Sequence, residues 1–254
     1  MNIGVISGRS IPKFFNNAEE VIIDTAFGEI KAVITTVGDH HVFFIQRHGA
    51  QRNLPPHKVN YHGNIQALYA SHVDFIVSIG TVGSLNPQMR PGDVVIPHDF
   101  IDGTKNRVYS FFDAQRIHVD MSESFCPKVR ANLIKQVQAI KGLTVHDKGV
   151  YLVTEGPRLE TPAEINMYSP FADIVGMTLV PEVTLARERG LCYASFCLVC
   201  NRAAGLQKRL PADEIAQVFT EKEPLLSRVL ENVIVHFENM KSCCCQLDVS
   251  KAGL

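Results

Sequence analysis

What most limits how this chain can fold is the regular return of short apolar runs, each too brief to be a buried helix. Phe75–Ile79 and Val94–Ile96 are hydrophobic with little interruption, and neither alternates polar with apolar residues. A strand without alternation is covered on both faces, as in sheets enclosed by helices. Ile3–Ile6, Val42–Gln46, Val150–Val153, Ile174–Met177 and Leu191–Val199 read as further strands, and Glu19–Asp24 with Ile30–Val37 as a hairpin about Phe27-Gly28. Helical patterns fall between them. Asn60 is placed to cap a helix reaching His72, and an amphipathic stretch from Pro127 to about Ile140 stops at Gly142. Shorter helices are expected near Pro162–Tyr168 and Pro181–Arg189, and a last helical region from Asp213 to Lys241, with Pro224 opening its second half. The expected fold is α/β: a single three-layer domain over residues 1–241, its mixed central sheet flanked by helices.

At 254 residues, 46% hydrophobic and 20% charged, the chain can bury one large core. Its net charge is −1 and its lysines and arginines form no runs, so no nucleic-acid partner is expected. No apolar stretch nears bilayer-spanning length, and no charged segment leads into an apolar one at the start. Neither a membrane partner nor a secretory leader is expected. The seven cysteines, an odd number, favour a reducing cytoplasm. Cys126, Cys192, Cys197 and Cys200 lie in or beside apolar stretches, where cysteine serves as a small buried hydrophobe. Cys197 and Cys200, three apart on a strand, point to opposite faces, which argues against a shared metal. Cys243–Cys245 falls in a polar segment, and residues 242–254 are expected to form a flexible tail. No metal site is expected.

Four strand ends carry groups suited to an anion: Ser7-Gly8-Arg9-Ser10, Arg47-His48-Gly49, the small-residue turn Gly80-Thr81-Val82-Gly83-Ser84, and Met177-Thr178. Backbone N–H groups, the planar fork of Arg47, a ring N–H of His48 and the Thr178 hydroxyl all suit phosphate oxygens. Each has a plainer use, as a turn or, for Arg47, in a surface ion pair. Four such ends in one sheet point to a shared site. Glu160 stands where a loop enters a helix, where acidic residues ordinarily complement the helix N-terminus. Asn201 follows the last apolar strand, where a turn or cap is its ordinary role. The connection from Gly103 to Met121 is too long for a turn, and its Arg107, Tyr109, Phe111, Phe112, Arg116 and His118 make it too aromatic for a disordered spacer.

Several segments, in order and at compatible spacing over the chain to about residue 240, resemble the methylthioadenosine/methylthioinosine branch of the trimeric purine nucleoside phosphorylases. They are His48-Gly49 through Pro55-Pro56-His57-Lys58-Val59-Asn60-Tyr61, Glu155-Gly156-Pro157-Arg158, Val175-Gly176-Met177-Thr178 with Pro181-Glu182-Val183, and Leu198-Val199-Cys200-Asn201-Arg202-Ala203-Ala204-Gly205. The resemblance implies an enzyme that attacks C1′ of a purine nucleoside with inorganic phosphate and releases the base. Phosphate is then a substrate, and no cofactor is implied. Phosphate contacts carry over to Arg9, Ser10, Arg47, His48, Gly80, Thr81 and Thr178, with His48, Glu160 and Asn201 as catalytic residues. Met177 would pack under the sugar, Leu159 against the purine and Ala203 beside the substrate. His118 corresponds to a residue reaching into the neighbouring subunit's 5′ pocket, implying a homotrimer with interfacial sites.

The resemblance also bears on the base. Adenine-selective relatives carry aspartate in place of Asn201 and a small residue in place of Glu160. A carboxamide can serve N7–H and a 6-oxo group together, and a carboxylate can accept the N1–H that hypoxanthine and guanine possess. Adenine offers a bare N1 lone pair there. The expected substrate is a 6-oxopurine nucleoside, methylthioinosine first, with a general inosine/guanosine phosphorylase and a methylthioadenosine phosphorylase as rivals. Two positions depart from the family. Its usual Gly-Gly-Thr-Gly loop is Ser7-Gly8-Arg9-Ser10 here, and Gly80 replaces a hydroxyl or amide residue. A purine-binding protein of low catalytic power is the alternative from another class.

Overall fold

The computed structural model describes residues 1–9, 18–49, 51, 53–209, 212–237 and 243–253. Among them, β1 (Asn2–Ser7), β2 (Glu19–Thr25), β3 (Gly28–Val37), β4 (His40–Gln46) and β5 (Phe75–Ser84) open an eleven-stranded mixed sheet. It continues with β6 (Val94–Val95), β7 (Asp99–Gly103), β8 (Val145–His146), β9 (Val150–Thr154), β10 (Ile174–Gly176) and β11 (Cys192–Arg202). The helices are α1 (Tyr61–Ala70), α2 (Pro127–Gln138), α3 (Pro162–Tyr168), α4 (Leu179–Glu188), α5 (Ala212–Val235) and α6 (Cys245–Ser250).

The sheet is covered on both faces, as the apolar runs require. Ile3, Val5, Phe75 and Val77 pack with Leu133 of α2 and with Leu226, Leu230 and Val233 of α5. Their neighbours Ile6 and Ile76 turn the other way, onto Ile65 and Leu68 of α1 and Val183 of α4. Cys200 belongs to the first layer and Cys197 to the second. Asn60 caps α1 by accepting the Gly63 N–H at 2.9 Å.

Several elements differ from expectation. The Gly80–Ser84 segment is strand, not turn, because β11 lies parallel to β5 along its whole length, from Cys192 opposite Phe75 to Arg202 opposite Ser84. Its small residues serve close approach instead of reversal. A Cβ at Gly80 would lie 3.2 Å from Cys197 Sγ, and one at Gly83 would lie 3.0 Å from Asn201 Nδ2. Helix α5 runs through Pro224 unbroken. Interior proline costs about 3 kcal/mol, and the burial of Leu226, Val229, Leu230, Val233 and Ile234 outweighs that. Over its described residues, 243–253, the supposed flexible tail is packed. It forms α6, buries Cys245 and Ala252, and pairs Gly253 with Ile117. β7 and β8 went unread because they are short and only partly buried.

Candidate active site

The site follows from a change of partner along β5. One edge of β5 is occupied throughout by β11. The other pairs with β1 as far as Ile79 and with antiparallel β10 from Gly83. Between them, Gly80–Val82 has neither neighbour, and a cleft of about 580 Å³ opens there. Crevices at such divergences are where α/β sheets bind ligands. The ends of β1, β4, β10 and β11 converge on it.

Ser7, Gly8, Arg9, Arg47, His48, Gly80, Thr81 and Thr178 all line the cleft. Ser10 lies outside the described residues. The Ser7 hydroxyl accepts the Arg9 N–H at 3.1 Å and donates to the Arg9 carbonyl at 2.7 Å, tightening the loop after β1. The Arg9 guanidinium stands 5.7 Å from the centre of the Phe219 ring. Thr178 precedes α4, and its side chain makes no capping bond.

Arg47 is no surface ion-pair residue. It is 3% exposed and its partner Glu182 0%. Nε and Nη2 donate to the two Glu182 oxygens at 2.7 and 2.9 Å, Nη2 also to Ser78 Oγ at 2.6 Å, and Nη1 to the Ile79 carbonyl at 3.1 Å. Glu182 additionally accepts from Ser78 Oγ at 2.9 Å and Tyr193 Oη at 2.7 Å. Burial alone would lower the guanidinium pKa, but Glu182 outweighs it and the net shift is upward. The fork is spent largely inside the protein, and the second Nη1 hydrogen remains for a ligand. His48 Nδ1 donates to the Leu54 carbonyl at 2.7 Å. Burial, then the positive charges of Arg47 and Arg9, hold the imidazole pKa below its ordinary value. The neutral ring therefore presents an unprotonated Nε2.

Leu159, Glu160, Val175, Met177 and Asn201 line the cleft as well. Glu160 is not the helix-capping residue of α3. Thr161 and Glu164 form that capping box between them, while Glu160 accepts the Thr154 hydroxyl at 2.5 Å. Asn201 belongs to β11, not to a turn after it. A bulge between Val199 and Asn201 shifts the register and sets Asn201 opposite Gly83, its Nδ2 donating to the Arg202 carbonyl at 2.9 Å. Met177 packs against Gly156, whose φ is +67°.

Two expected residues are placed elsewhere. Ala203 is 1% exposed and packs with Leu85, Leu152 and Ile165 behind the cleft, because its N–H pairs with the Ser84 carbonyl and draws it under β5. His118 is exposed and does not line the cleft; its backbone N–H donates to the Ala252 carbonyl at 2.9 Å. The 103–121 connection is well anchored. Glu155 accepts the Lys105 N–H at 2.6 Å, and Arg107 is buried against Tyr61 and the Val180 and Glu155 carbonyls. Phe111 N–H donates to Glu188 at 2.7 Å. Ile215 and Phe219 of α5 also line the cleft and were not expected to. Their i, i+4 spacing marks an apolar face, but only the fold shows that the face meets the cleft.

Comparison with known proteins agrees with this architecture. The family model described as Phosphorylase superfamily matches residues 5–235. The chain is 42% identical over 252 residues to a Dictyoglomus turgidum protein named "Probable 6-oxopurine nucleoside phosphorylase", covering 97% of this chain and 95% of that one. It is 41% identical to a Methanopyrus kandleri protein named "Probable S-methyl-5'-thioinosine phosphorylase", covering 96% and 95%. The crystal structure of a methylthioadenosine phosphorylase from an antarctic soil metagenomic library superposes with a TM-score of 0.93 at 32% identity, covering 99% of this chain and 92% of that one. A match over most of the chain, with relatives above two-fifths identity, leaves no ambiguity: the chain belongs to the phosphorylase superfamily.

Proposed function

We propose that the protein is a pentosyltransferase that cleaves 6-oxopurine nucleosides with inorganic phosphate, and that its preferred substrate is S-methyl-5′-thioinosine, giving hypoxanthine and 5-methylthioribose 1-phosphate in purine salvage. The observation that carries this reading is that Glu160 and Asn201 line the same cleft as Arg47, His48 and Thr178. As the C1′–N9 bond breaks, the sugar becomes cationic and the purine gains negative charge. Phosphate stabilises the sugar and then attacks C1′. Asn201 serves N7 and O6, Glu160 accepts N1–H, and Met177 lies under the ring. The test is base release from methylthioinosine, inosine, methylthioadenosine and adenosine, each with and without phosphate. Release that ignores phosphate, or nucleoside binding without release, would overturn the reading.

His48 gives a pH prediction. Its depressed pKa leaves the free site neutral near pH 7, with Nε2 bare. A phosphate dianion needs a donor there, so binding should take up a proton, and the KM for phosphate should rise as pH increases. Calorimetry in two buffers of different ionisation enthalpy measures the uptake, and His48→Gln should abolish it. Wild-type binding with no proton uptake would remove His48 from the phosphate site.

We also propose a homotrimer in which the 103–121 connection completes the neighbouring cleft. Val108 and Tyr109 of this connection are largely exposed, and His118 is exposed and does not line its own cleft. Light scattering should give three times the 28.2 kDa chain mass. His118→Ala should weaken the preference for methylthioinosine over inosine while phosphorolysis continues. Trimers mixed from His118→Ala and Arg47→Ala chains should regain part of that preference where an intact His118 meets an intact Arg47. A monomer, or an unchanged substrate ratio, would dispose of the idea. The odd number of cysteines supports a reducing cytoplasm. Among the described residues no helix is long and apolar enough to cross a membrane.

A further inference from the structure

Four cysteines from three distant parts of the chain meet at the start of β11. Cys126 is the N-cap residue of α2, Cys192 opens β11, and Cys243 and Cys245 flank the entry to α6. Their sulfurs all lie within 4.8 Å of one another. Cys243 Sγ is 3.4 Å from that of Cys126, 3.3 Å from that of Cys192 and 3.0 Å from that of Cys245. Zinc–sulfur bonds of about 2.3 Å, directed tetrahedrally, put the edges of a tetrathiolate at roughly 3.8 Å. The three separations from Cys243 sit inside that figure and the rest reach no farther than 4.8 Å, so shifts of about an ångström or less would meet it.

The arrangement is selective. Cys126, Cys192 and Cys245 are buried, whereas Cys244, between two members of the cluster, is exposed and excluded from it. Cys197 and Cys200 lie farther along β11 on opposite faces. The scaffold is fixed before any ion arrives. The Cys126 N–H donates to the Tyr193 carbonyl at 2.8 Å, holding the α2 cap against β11, and the Cys245 N–H donates to Cys243 Sγ at 3.4 Å. Cys126 also stands at the positive end of α2, which favours a thiolate.

We propose that Cys126, Cys192, Cys243 and Cys245 form a structural zinc(II) site that fastens the C-terminal segment to the body of the protein. This revises the expectation that the chain has no metal site and that its cysteine-rich end is loose. Loading exchanges protons for the ion: four thiols and Zn²⁺ give a tetrathiolate of charge −2 and four released protons. All four positions are taken by protein, so there is no place for a reactive water, and none of the four cysteines lines the cleft. Beyond the site, the same segment reaches the 103–121 connection through Ala252 with His118 and Gly253 with Ile117.

The test uses the full-length protein, expressed with zinc present and purified without chelator. Elemental analysis should find one zinc per chain. The cobalt(II)-loaded protein should show sulfur-to-metal charge-transfer absorption and the d–d bands of a tetrahedral tetrathiolate. Cys192→Ser and Cys245→Ser should lose most of the metal, and Cys244→Ser should keep it. Should a ligand variant fold poorly, mercurial titration of the wild-type thiols should release the zinc in step with their loss. The proposal fails if zinc is far below one per chain while the four thiols alkylate freely. It fails equally if the denatured chain resists alkylation and is lighter by two hydrogens per sulfur pair, the mark of disulfides. Loss of metal from Cys244→Ser as complete as from Cys245→Ser would also sink it.

Discussion

Changing Asn201 to aspartate should move the protein away from 6-oxopurine nucleosides and toward their 6-amino counterparts. In the wild type, Asn201 stands opposite Gly83 past the β11 bulge, and Glu160 is steadied by Thr154. A carboxamide presents both a donor and an acceptor, which a 6-oxo group and a protonated N7 can use together. A carboxylate at 201 repels O6 and attracts a 6-amino group. Mismatching buried polar partners costs of order 2–5 kcal/mol, or roughly 30-fold to several-thousand-fold in kcat/KM. The wild type should therefore favour methylthioinosine over methylthioadenosine by a factor in that range, and Asn201→Asp should erase much of it. Steady-state kcat/KM for both nucleosides measures the ratio. A wild type faster on methylthioadenosine, or an unchanged ratio in the variant, contradicts the assignment.

The second large effect concerns Arg47 and Glu182. A phosphate ligand on the surface could be removed with little harm to folding, but this pair is buried and shares Ser78 and Tyr193. Taking away one member leaves the other charged and unpaired, at about 3–5 kcal/mol. For a chain of this size that lowers Tm by roughly 6–20 °C. Glu182→Ala and Arg47→Ala should both show it in thermal unfolding. Replacing both, as Arg47→Met with Glu182→Leu, should recover much of the stability, because apolar residues of similar size remove the buried charges together. Phosphate use should not recover with it. A stable double variant with an unaltered KM for phosphate would place Arg47 among the purely structural residues.

The two-face burial of the sheet, the cap at Asn60 and the alternation that parts Cys197 from Cys200 were legible because local spacing determines them. The paths of β5 and β11 were not. Gly80, Gly83 and Ser84 have the composition of a turn, and only the neighbouring strand holds them extended. Ala203 shares a motif with Asn201, yet it lies just past the end of β11, where its N–H bond to the Ser84 carbonyl takes it into the core. The burial of Arg47 was hidden because Glu182 is 135 residues away in sequence and nothing local announces the pair. The cysteine cluster escaped for the same reason: Cys126 and Cys243 are 117 residues apart.

The exchange of β1 for β10 along one edge of β5 also divides what can vary from what cannot. The floor of the cleft is the middle of a largely buried strand held along one edge by β11, so substitutions there disturb the sheet itself. The rim is different at the residues before α3: Leu159, Glu160 and Thr161 are partly or largely exposed and belong to none of the core clusters. Lineages can therefore drift at that rim without rebuilding the floor. An ancestral scaffold could pass between 6-oxo and 6-amino bases by exchanges at a rim residue such as Glu160 together with one strand-end residue, Asn201. Relatives sharing about two-fifths of their residues with this chain bear differing substrate names, as such economical divergence would produce.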